Sequence, residues 1–345
     1  MNDETRYPLT FSKAYATLDI TADFKLLAED FCVDEELSFE PSGEGEHVFI
    51  QVKKTALTTD NIVSDLSRRL KLDKRDIGYS GLKDKQAVTT QWLSFAWPVK
   101  EAIPELGAYS WEVLQSHRHL RKLKRGVHKH NRFFIRLKNI CGDLQLLEQR
   151  LQLLAQQGVP NYFGLQRFGH GGANVQKAED LFQKRFKCKK FQRGLYYSSA
   201  RSFLFNHYLH QRVLAGNWDV AVEGDCFQLQ GTQSLFGPEP ICDKIAQRIK
   251  NNDIHLVGPL IGLGQSRLES QALVFENAIK EQFPLLVQGL IDSGVKQNLR
   301  ALRLIPEQMQ WQFRDDCCEI EFTLPPGAFA TAVLHELAMI NGETW

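Results

Sequence analysis

The alternation of apolar and polar positions predicts several strands in the first half of the chain. Residues 28–53 contain two alternating segments separated by Pro41-Ser42-Gly43, which supplies the chemistry of a turn. Short strands are also predicted near 77–80 and 91–96. In 133–137 apolar side chains alternate with basic ones, as expected for a half-buried strand. We therefore expect a strand-rich N-terminal part.

Two segments of this half have the period of an amphipathic helix. The first is capped by Thr59 or Asp60. The second begins after Asp143 as N-cap and closes at Gly158. Its predicted apolar face consists of four leucines: Leu144, Leu147, Leu151 and Leu154.

The pattern changes from Val159 onward. A strand is predicted again at 319–324, followed by a Pro-Pro-Gly turn and an amphipathic helix over 329–340. Between these parts the sequence predicts four helices and a glycine-rich loop over 257–265. The helices are predicted at 174–185, 199–214, 240–250 and 267–282. A strand-rich part, a helix-rich middle and a return to strand indicate one domain inserted into another.

Composition restricts the class of protein. The chain has 345 residues, 43% hydrophobic and 24% charged, which favours two globular domains. No segment approaches the roughly 18 uninterrupted apolar residues of a membrane span, and the first residues lack the pattern of a signal peptide. The seven cysteines include no Cys-x-x-Cys pair. We expect a reduced, cytoplasmic, metal-free protein, in which His207 and His210 are packing or surface residues.

The distribution of charge matters more than its sum of +1. Between Glu112 and Asp143 there is no acidic residue, whereas basic residues are frequent. Such a stripe favours a polyanion such as nucleic acid, because neutralising phosphates releases counterions; a solvated charged face is the alternative. The candidate RNA-binding residues are Arg118, Arg121, Lys122, Lys124, Arg125, Lys129 and Arg132.

The segment 79–95, YSGLKDKQAVTTQWLSF, contains the most informative candidate chemistry. Asp84 lies in a tight connection between two predicted strands, flanked by Lys83 and Lys85. Glycine at position 81 permits tight turning, and a neighbouring ammonium favours the ionised carboxylate that a nucleophile or base requires. The residues alone leave a solvated turn as the alternative. Because successive side chains of an extended segment point apart, at most one of the two lysines is expected to contact Asp84.

Five segments resemble the TruD family of tRNA pseudouridine synthases and occur along the chain in the same order as in that family. The segment around Asp84 resembles the family's Gly-x-Lys-Asp-x-x-Ala-x-Thr-x-Gln signature. The other four contain an Asp-Phe-x-Val element, an Asn-x-Phe pair, an Asn-Tyr-Phe-Gly-x-Gln-Arg-Phe-Gly element and a Leu-Pro-x-Gly element. They occupy 30–54, 130–133, 159–172 and 324–337. The resemblance spans nearly the whole chain and is weakest between about 180 and 300.

The resemblance implies roles for individual residues. Asp84 is the implied catalytic carboxylate, Phe133 the aromatic stacked on the target uracil, and Asn131 its hydrogen-bonding neighbour. On a strand the last two side chains leave the same face. For each phenylalanine, core packing is the alternative role. Phe31 and Phe329 complete the implied pocket. Lys83 and Lys85 are further candidates, one for pairing with Asp84 or a phosphate, with a solvated side chain as the alternative. The complete candidate substrate-binding set is Phe31, Asn131, Phe133, Phe329, Lys83 and Lys85.

Two further features of the sequence stay open. Arg167 and His170, in the Asn-Tyr-Phe-Gly element, either contact RNA or hold the junction between domains. Gly262-x-Gly264 has only a weak likeness to a nucleotide-binding loop, because no strong strand precedes it and no glycine follows at the required spacing.

The fold and domains that the resemblance implies agree with the element pattern. The family fold is an α+β core around a mixed, mostly antiparallel sheet flanked by helices, with an inserted α/β domain. We predict a catalytic domain formed by 1–158 and 305–345, and an insertion over 159–304.

The implied function is conversion of uridine to pseudouridine at position 13 of tRNA, in the D arm, by a monomer without a cofactor. Two alternatives come from other classes of protein. One is a tRNA-binding protein or chaperone without chemistry. The other is a hydrolase of a glycosidic bond that uses Asp84 together with Glu46.

Overall fold

The computed structural model describes residues 6–341, which form an α+β protein. Seventeen strands lie in this range. They are Thr21–Phe24 (β1), Phe31–Leu37 (β2), His47–Thr55 (β3), Gly78–Tyr79 (β4), Val88–Ala96 (β5), Gly107–Ala108 (β6), Trp111–His119 (β7), His128–Cys141 (β8), Val159–Pro160 (β9), Phe227–Leu229 (β10), Leu235–Phe236 (β11), Ile254–Leu260 (β12), Asn298–Ala301 (β13), Arg303–Leu304 (β14), Glu307–Arg314 (β15), Cys317–Leu324 (β16) and Met339–Asn341 (β17).

Eight α-helices accompany the strands within the described residues. They are Thr59–Leu70 (α1), Leu144–Gln157 (α2), Ala173–Phe182 (α3), Lys190–Leu214 (α4), Asp243–Lys250 (α5), Ser270–Gln282 (α6), Pro284–Asp292 (α7) and Ala330–Leu337 (α8).

One large mixed sheet unites both ends of the chain. It has eleven strands, eight of them in the order β15-β16-β8-β2-β5-β3-β7-β6. Its pairs are antiparallel except β1 with β17 and β2 with β5. The alternation along β8 buries Phe133, Ile135 and Leu137 against α2 and α8. This architecture confirms the predicted mixed, mostly antiparallel sheet flanked by helices.

The middle of the chain has its own sheet and core. Four strands pair in the order β11-β10-β12-β13, and α3, α4, α6 and α7 pack beside them. The two-stranded ladder β9–β14 lies where the chain leaves the large sheet and returns to it, with Val159 opposite Leu304. Tyr7 and Phe11, which the sequence assigns to the first domain, pack into the core of this middle part. We keep the division at 159–304 as a proposal, with this N-terminal segment as an arm on the insertion.

Several elements differ from the sequence prediction. Helix α1 is capped by Thr58, one residue earlier than predicted. In α2, capped by Asp143 as predicted, Leu144 is 41% exposed while the other three leucines are buried. The first residues of the predicted loop over 257–265 belong instead to the buried strand β12. Helix α4 starts at Lys190, and the strand β15 and the helix α7 are not predicted.

Candidate active site

Asp84 lies in the connection between β4 and β5, and a buried lysine fixes this connection. Lys54, at the end of β3, is 1% exposed. Its Nζ donates to the backbone oxygen of Asp84 at 2.8 Å and to that of Leu57 at 2.5 Å. The N–H of Lys83 donates to Oγ1 of Thr59 at 3.0 Å. Burial lowers the pKa of Lys54 to about 8, against the opposing charge of Asp84. The backbone of the loop is therefore anchored on the residues beside it.

The carboxylate of Asp84 pairs with Lys25, which directly follows β1. Nζ of Lys25 lies 2.6 Å from Oδ2, and Oδ1 accepts the N–H of Gln86 at 3.0 Å. Burial raises the pKa of Asp84, but the hydrogen bond and charge of Lys25 outweigh it and hold the pKa below its usual range. The carboxylate is thus ionised at neutral pH. Neither Lys83 nor Lys85 contacts this carboxylate.

Lys83 instead joins two strands of the sheet. Its Nζ donates to Oε2 of Glu35 at 2.6 Å and to Oδ1 of Asn131 at 2.8 Å. Glu35 and Asn131 face each other across β2 and β8, and Glu35 also accepts the N–H of Trp92 at 3.1 Å. This buried pair holds the Asn131 amide in place. Lys85 is exposed, with no side-chain partner among residues 6–341.

The proton positions around Asn131 follow from Lys83. An ammonium only donates, so Oδ1 of Asn131 faces it and Nδ2 faces Nε2 of His128 at 3.2 Å. That nitrogen must accept, which places the His128 proton on Nδ1, 2.6 Å from Oγ of Ser80. Burial lowers the pKa of His128, so the ring is neutral at pH 7.

Aromatic rings cover the sheet beside this network. Phe133, on β8, is stacked on Phe31 at 6.1 Å and on Phe322 at 5.5 Å between ring centroids. Phe133 and Phe31 are each 7% exposed, so most of both rings belongs to the core. Nζ of Lys25 lies 4.4 Å from the centroid of Phe31. Phe31 is therefore the ring that the Asp84–Lys25 pair places at the site.

The 3-10 turn Leu165–Phe168 connects Phe329 to the site, because it lies against both Asp84 and the Phe329 ring. Nε2 of Gln166 lies 3.3 Å from Oδ2 of Asp84. The guanidinium of Arg167, the next residue, lies 5.8 Å from the ring centroid of Phe329. Gly164 allows this turn to approach α8, because a Cβ there would meet Oγ1 of Thr331 at 2.5 Å. The turn thus borders both Asp84 and the predicted pocket residue.

The basic stripe does not form one uniform surface. Arg121, Lys124 and Arg125 are exposed on the loop 120–127 between β7 and β8. Lys122 donates to the backbone oxygen of Arg75. Lys122, Lys124 and Arg125 line an open groove of about 510 Å³ together with Lys74 and Tyr79. This part of the stripe is accessible to a ligand.

The remaining stripe residues have partners in the protein. The Arg118 guanidinium donates to the backbone oxygens of Trp97, Pro98 and Glu101. Arg132 pairs with Glu321. Lys129 is exposed and lies 3.9 Å from a carboxylate oxygen of Glu36. Arg118 therefore has a structural role that the sequence did not indicate.

Comparison with known proteins assigns the chain to a family. The model of the family described as tRNA pseudouridine synthase D (TruD) matches residues 12–187 and 174–337. The chain belongs to the TruD family. Relatives named tRNA pseudouridine synthase D include one from Hydrogenovibrio crunogenus, 40% identical over 96% of this chain and 97% of that protein. One from Legionella pneumophila (strain Lens) is 38% identical over 96% of this chain and 99% of that protein.

The TruD fold agrees as well. A crystal structure from Methanosarcina mazei, described as tRNA pseudouridine synthase D (TruD), matches with a TM-score of 0.69 and 21% identity. It covers 94% of this chain and 95% of that chain. Membership of the TruD family makes the protein an enzyme of the pseudouridine synthase type, an isomerase. No helix within residues 6–341 is long and apolar enough to cross a membrane.

Sequence reasoning missed four residues at this TruD site. Two of them left a signal, because a charge occupies a position that the alternation assigns to the buried face. Glu35 continues the row of Phe31 and Val33, and Lys54 continues that of Val48, Ile50 and Val52. Lys25 and Gln166 left none, because only the tertiary fold brings them to Asp84.

Proposed function

We propose that the protein converts uridine to pseudouridine in tRNA, at position 13 in the D arm, with Asp84 as the catalytic carboxylate. One observation carries the proposal. An ionised carboxylate, paired with Lys25 at 2.6 Å, lies beside the aromatic ring of Phe31 in a chain of the TruD family. The reaction breaks the bond between N1 and C1′ and joins C5 to C1′, so nothing is added or lost.

The chemistry requires Asp84 in its ionised form. The carboxylate either attacks the nucleotide covalently or removes a proton from the ribose, and both routes need a lone pair on oxygen. Lys25 supplies this state by keeping the pKa of Asp84 low against the effect of burial. Because Lys54 holds the backbone of the same residue, the carboxylate is fixed before the substrate binds.

The base is held by the rings and by Asn131. Extruding a uridine from its stack costs a few kcal/mol, and stacking on an aromatic side chain returns about 1–3 kcal/mol per base. Phe31 and the exposed edge of Phe133 offer this surface, with Phe329 on the side of the Gln166 turn. Asn131 has one Nδ2 proton left after its bond to His128. This second N–H of Asn131 Nδ2 donates a hydrogen bond to a carbonyl oxygen of the uracil.

Binding of the tRNA uses the exposed part of the stripe. Arg121, Lys122, Lys124 and Arg125 line or border the open groove, and phosphate contacts dominate affinity for RNA. We propose that a monomer in the cytoplasm binds the tRNA along this groove, with Lys85 and Lys129 contributing from exposed positions.

The hydrolase alternative fails on distance. Glycosidic hydrolysis needs two carboxyl groups about 5–9.5 Å apart. Lys54, whose ammonium contacts Asp84, is seven residues from His47 along β3, which is about 23 Å at 3.3 Å per residue. Glu46 precedes His47 at that far end. Asp84 and Glu46 therefore do not act on one bond.

The test is a modification assay on an unmodified tRNA transcript with the wild type and with Asp84→Asn. Pseudouridine is mapped by chemical labelling and reverse-transcriptase stops. One stop in the D arm with wild type, lost in Asp84→Asn while RNA binding persists, supports the proposal. Unchanged modification by Asp84→Asn refutes the assignment of the carboxylate. Tight binding of tRNA with every uridine unchanged favours the chaperone alternative.

A further inference from the structure

Arg167 lies on the turn that contacts Asp84, yet it has no partner for its charge. No carboxylate within residues 6–341 pairs with it, and its guanidinium donates no hydrogen bond to them. Its Nε is buried. The group lies instead against two rings, 5.3 Å from the centroid of Phe163 and 5.8 Å from that of Phe329. Cation–π contact with two rings orients the guanidinium but leaves its five N–H donors without an acceptor among residues 6–341.

A second guanidinium lies beside the first. Arg300 stacks on the same Phe163 ring, with its central carbon 4.0 Å from the centroid. It donates to Oδ1 of Asn161 at 2.6 Å and to the backbone oxygen of Gly327 at 3.1 Å. These acceptors are neutral, so they do not compensate its charge. Burial, followed by the charge of Arg167, lowers the pKa of Arg300 to about 9.

Two partly buried cations on one ring, without an anion, are unfavourable in a protein interior. The buried arginines Arg150, Arg212 and Arg303 all donate to acceptors of the protein, and Arg212 among them has a carboxylate. Arg212 is paired with both oxygens of Asp225, at 2.8 and 2.9 Å. The contrast indicates that the anion for Arg167 comes from outside the chain.

Position identifies this anion. Gln166 contacts Asp84, and Arg167 is the next residue of the same turn, so a substrate held at Asp84 passes close to this guanidinium. The N-terminus of α8, which begins after Phe329, has no side-chain cap and adds partial positive charge on this side. The anionic group of RNA closest to a reacting C1′ is a phosphodiester, and a guanidinium fork fits two of its oxygens.

We propose that Arg167, oriented by Phe163 and Phe329, binds a phosphodiester that flanks the target uridine. This inference rests on the proposed function, since it takes RNA as the substrate. It adds a fixed point on the backbone of the substrate, so that extrusion of the base turns the nucleotide about an anchored phosphate. Arg300, which stacks on the same Phe163 ring, supplies further positive charge at this position.

The test compares tRNA affinity for three proteins in the Asp84→Asn background, in which bound tRNA is not converted. The first carries no further change, the second carries Arg167→Gln and the third carries Arg201→Gln. Arg201 is the matched control, because its guanidinium donates to the backbone oxygens of Leu260 and Lys296 at 2.7–3.2 Å. Both substitutions remove one charge. We expect Arg167→Gln to weaken binding about tenfold and to lower the slope of log Kd against log salt by about 0.7–0.9, while Arg201→Gln leaves the slope unchanged.

A second arm needs no change to the protein beyond Asp84→Asn. Replacing the phosphodiester on either side of the target uridine by an uncharged methylphosphonate weakens binding at one of the two positions. Combined with Arg167→Gln, the same replacement has no further effect. Arg167→Lys restores the slope but only part of the affinity, because an ammonium lacks the fork.

Three outcomes contradict the inference. One is an equal slope for the Arg167 and Arg201 variants, and another is a methylphosphonate effect that persists in Arg167→Gln. Either result, with tRNA modification by the wild type intact, makes Arg167 a structural contact between the rings and leaves the proposed function standing. If the wild type neither binds nor modifies tRNA, the proposed function and this inference fail together.

Discussion

The ammonium of Lys25 lies 2.6 Å from Oδ2 of Asp84, although 59 positions separate the two residues along the chain. The sequence around Asp84 offers two nearer lysines, and both point elsewhere. Lys83 belongs to the pair with Glu35, and Lys85 lies at the surface. The state of the Asp84 carboxylate therefore depends on the residue that follows β1, a strand from a different part of the large sheet.

Replacing Lys25 by Met should raise the pKa of Asp84, because burial is then opposed mainly by the weaker hydrogen bonds from Gln86 and Gln166. A hydrogen bond to a charged group contributes about 1.5–3 kcal/mol, so we expect about a tenfold to hundredfold loss of modification rate at neutral pH. The acid limb of the single-turnover rate moves to higher pH, since the ionised form is then lost earlier on acidification. Lys25→Arg keeps the charge and the position of the limb. A limb that is unchanged in Lys25→Met contradicts this role.

The buried pair of Lys83 and Glu35 should show strong coupling in stability. Lys83→Met leaves the Glu35 carboxylate buried without its cation and destabilises the fold by about 3–5 kcal/mol. The double variant with Glu35→Gln is less destabilised, because no uncompensated charge remains. Urea unfolding of the two single variants and the double variant measures this coupling. Additive free energies in the cycle would show that the pair contributes nothing specific.

Acid should break the network at Asn131 through His128. Burial lowers the pKa of the His128 ring, and a proton on its Nε2 would also face the donor Nδ2 of Asn131. The contribution of this neutral ring to stability is present above the ordinary histidine pKa of about 6.5 and is lost as pH falls through the lowered value. Unfolding free energies of wild type and His128→Gln, compared between pH 7 and pH 5, should converge on acidification. A constant difference over this range would exclude His128 as the titrating group.

Arg118 and Lys124 should separate stability from RNA binding. Arg118→Met removes three hydrogen bonds to backbone oxygens of 97–101 and lowers the thermal midpoint, by about 1–2 °C per kcal/mol lost for a chain of this length. The salt dependence of tRNA binding by the Arg118→Met variant stays that of the wild type. Lys124→Met leaves the midpoint unchanged. It lowers the slope of log Kd for tRNA against log salt by the contribution of about one phosphate contact. If both variants changed the slope equally, the stripe would act as one surface after all.

The sequence predicted the reactive loop and the surrounding strands because local signals coincide there. Glycine, flanking charge and a return to apolar alternation all mark 81–96, and the loop lies where they place it. The partners of Asp84 leave no such local signal. Sheet pairing selects Lys25, and the approach of a distant turn selects Gln166.

The middle of the chain was harder to predict because its glycines serve packing. Gly258 lies within β12, where a Cβ would come within 2.8 Å of the Tyr208 ring. Helix α4 approaches the strand closely at this residue, and the sequence pattern instead favours a loop. Gly194 similarly interrupts the start of α4 in sequence but not in the structure. At Gly258 tertiary contact overrides a local breaker, whereas Gly194 is exposed and has open space at its Cβ position.

The position of β16 beside β8 has a consequence for the order in which the chain folds during synthesis. About 175 residues separate the end of β8 from the start of β16. At about 5–20 residues per second, a ribosome needs about 9–35 s to make them. During this interval β8 has β1 and β2 as neighbours, but its other edge is unpaired, and such an edge invites aggregation. The nascent chain therefore spends most of its synthesis with the future catalytic sheet incomplete, while the middle part is produced and folds.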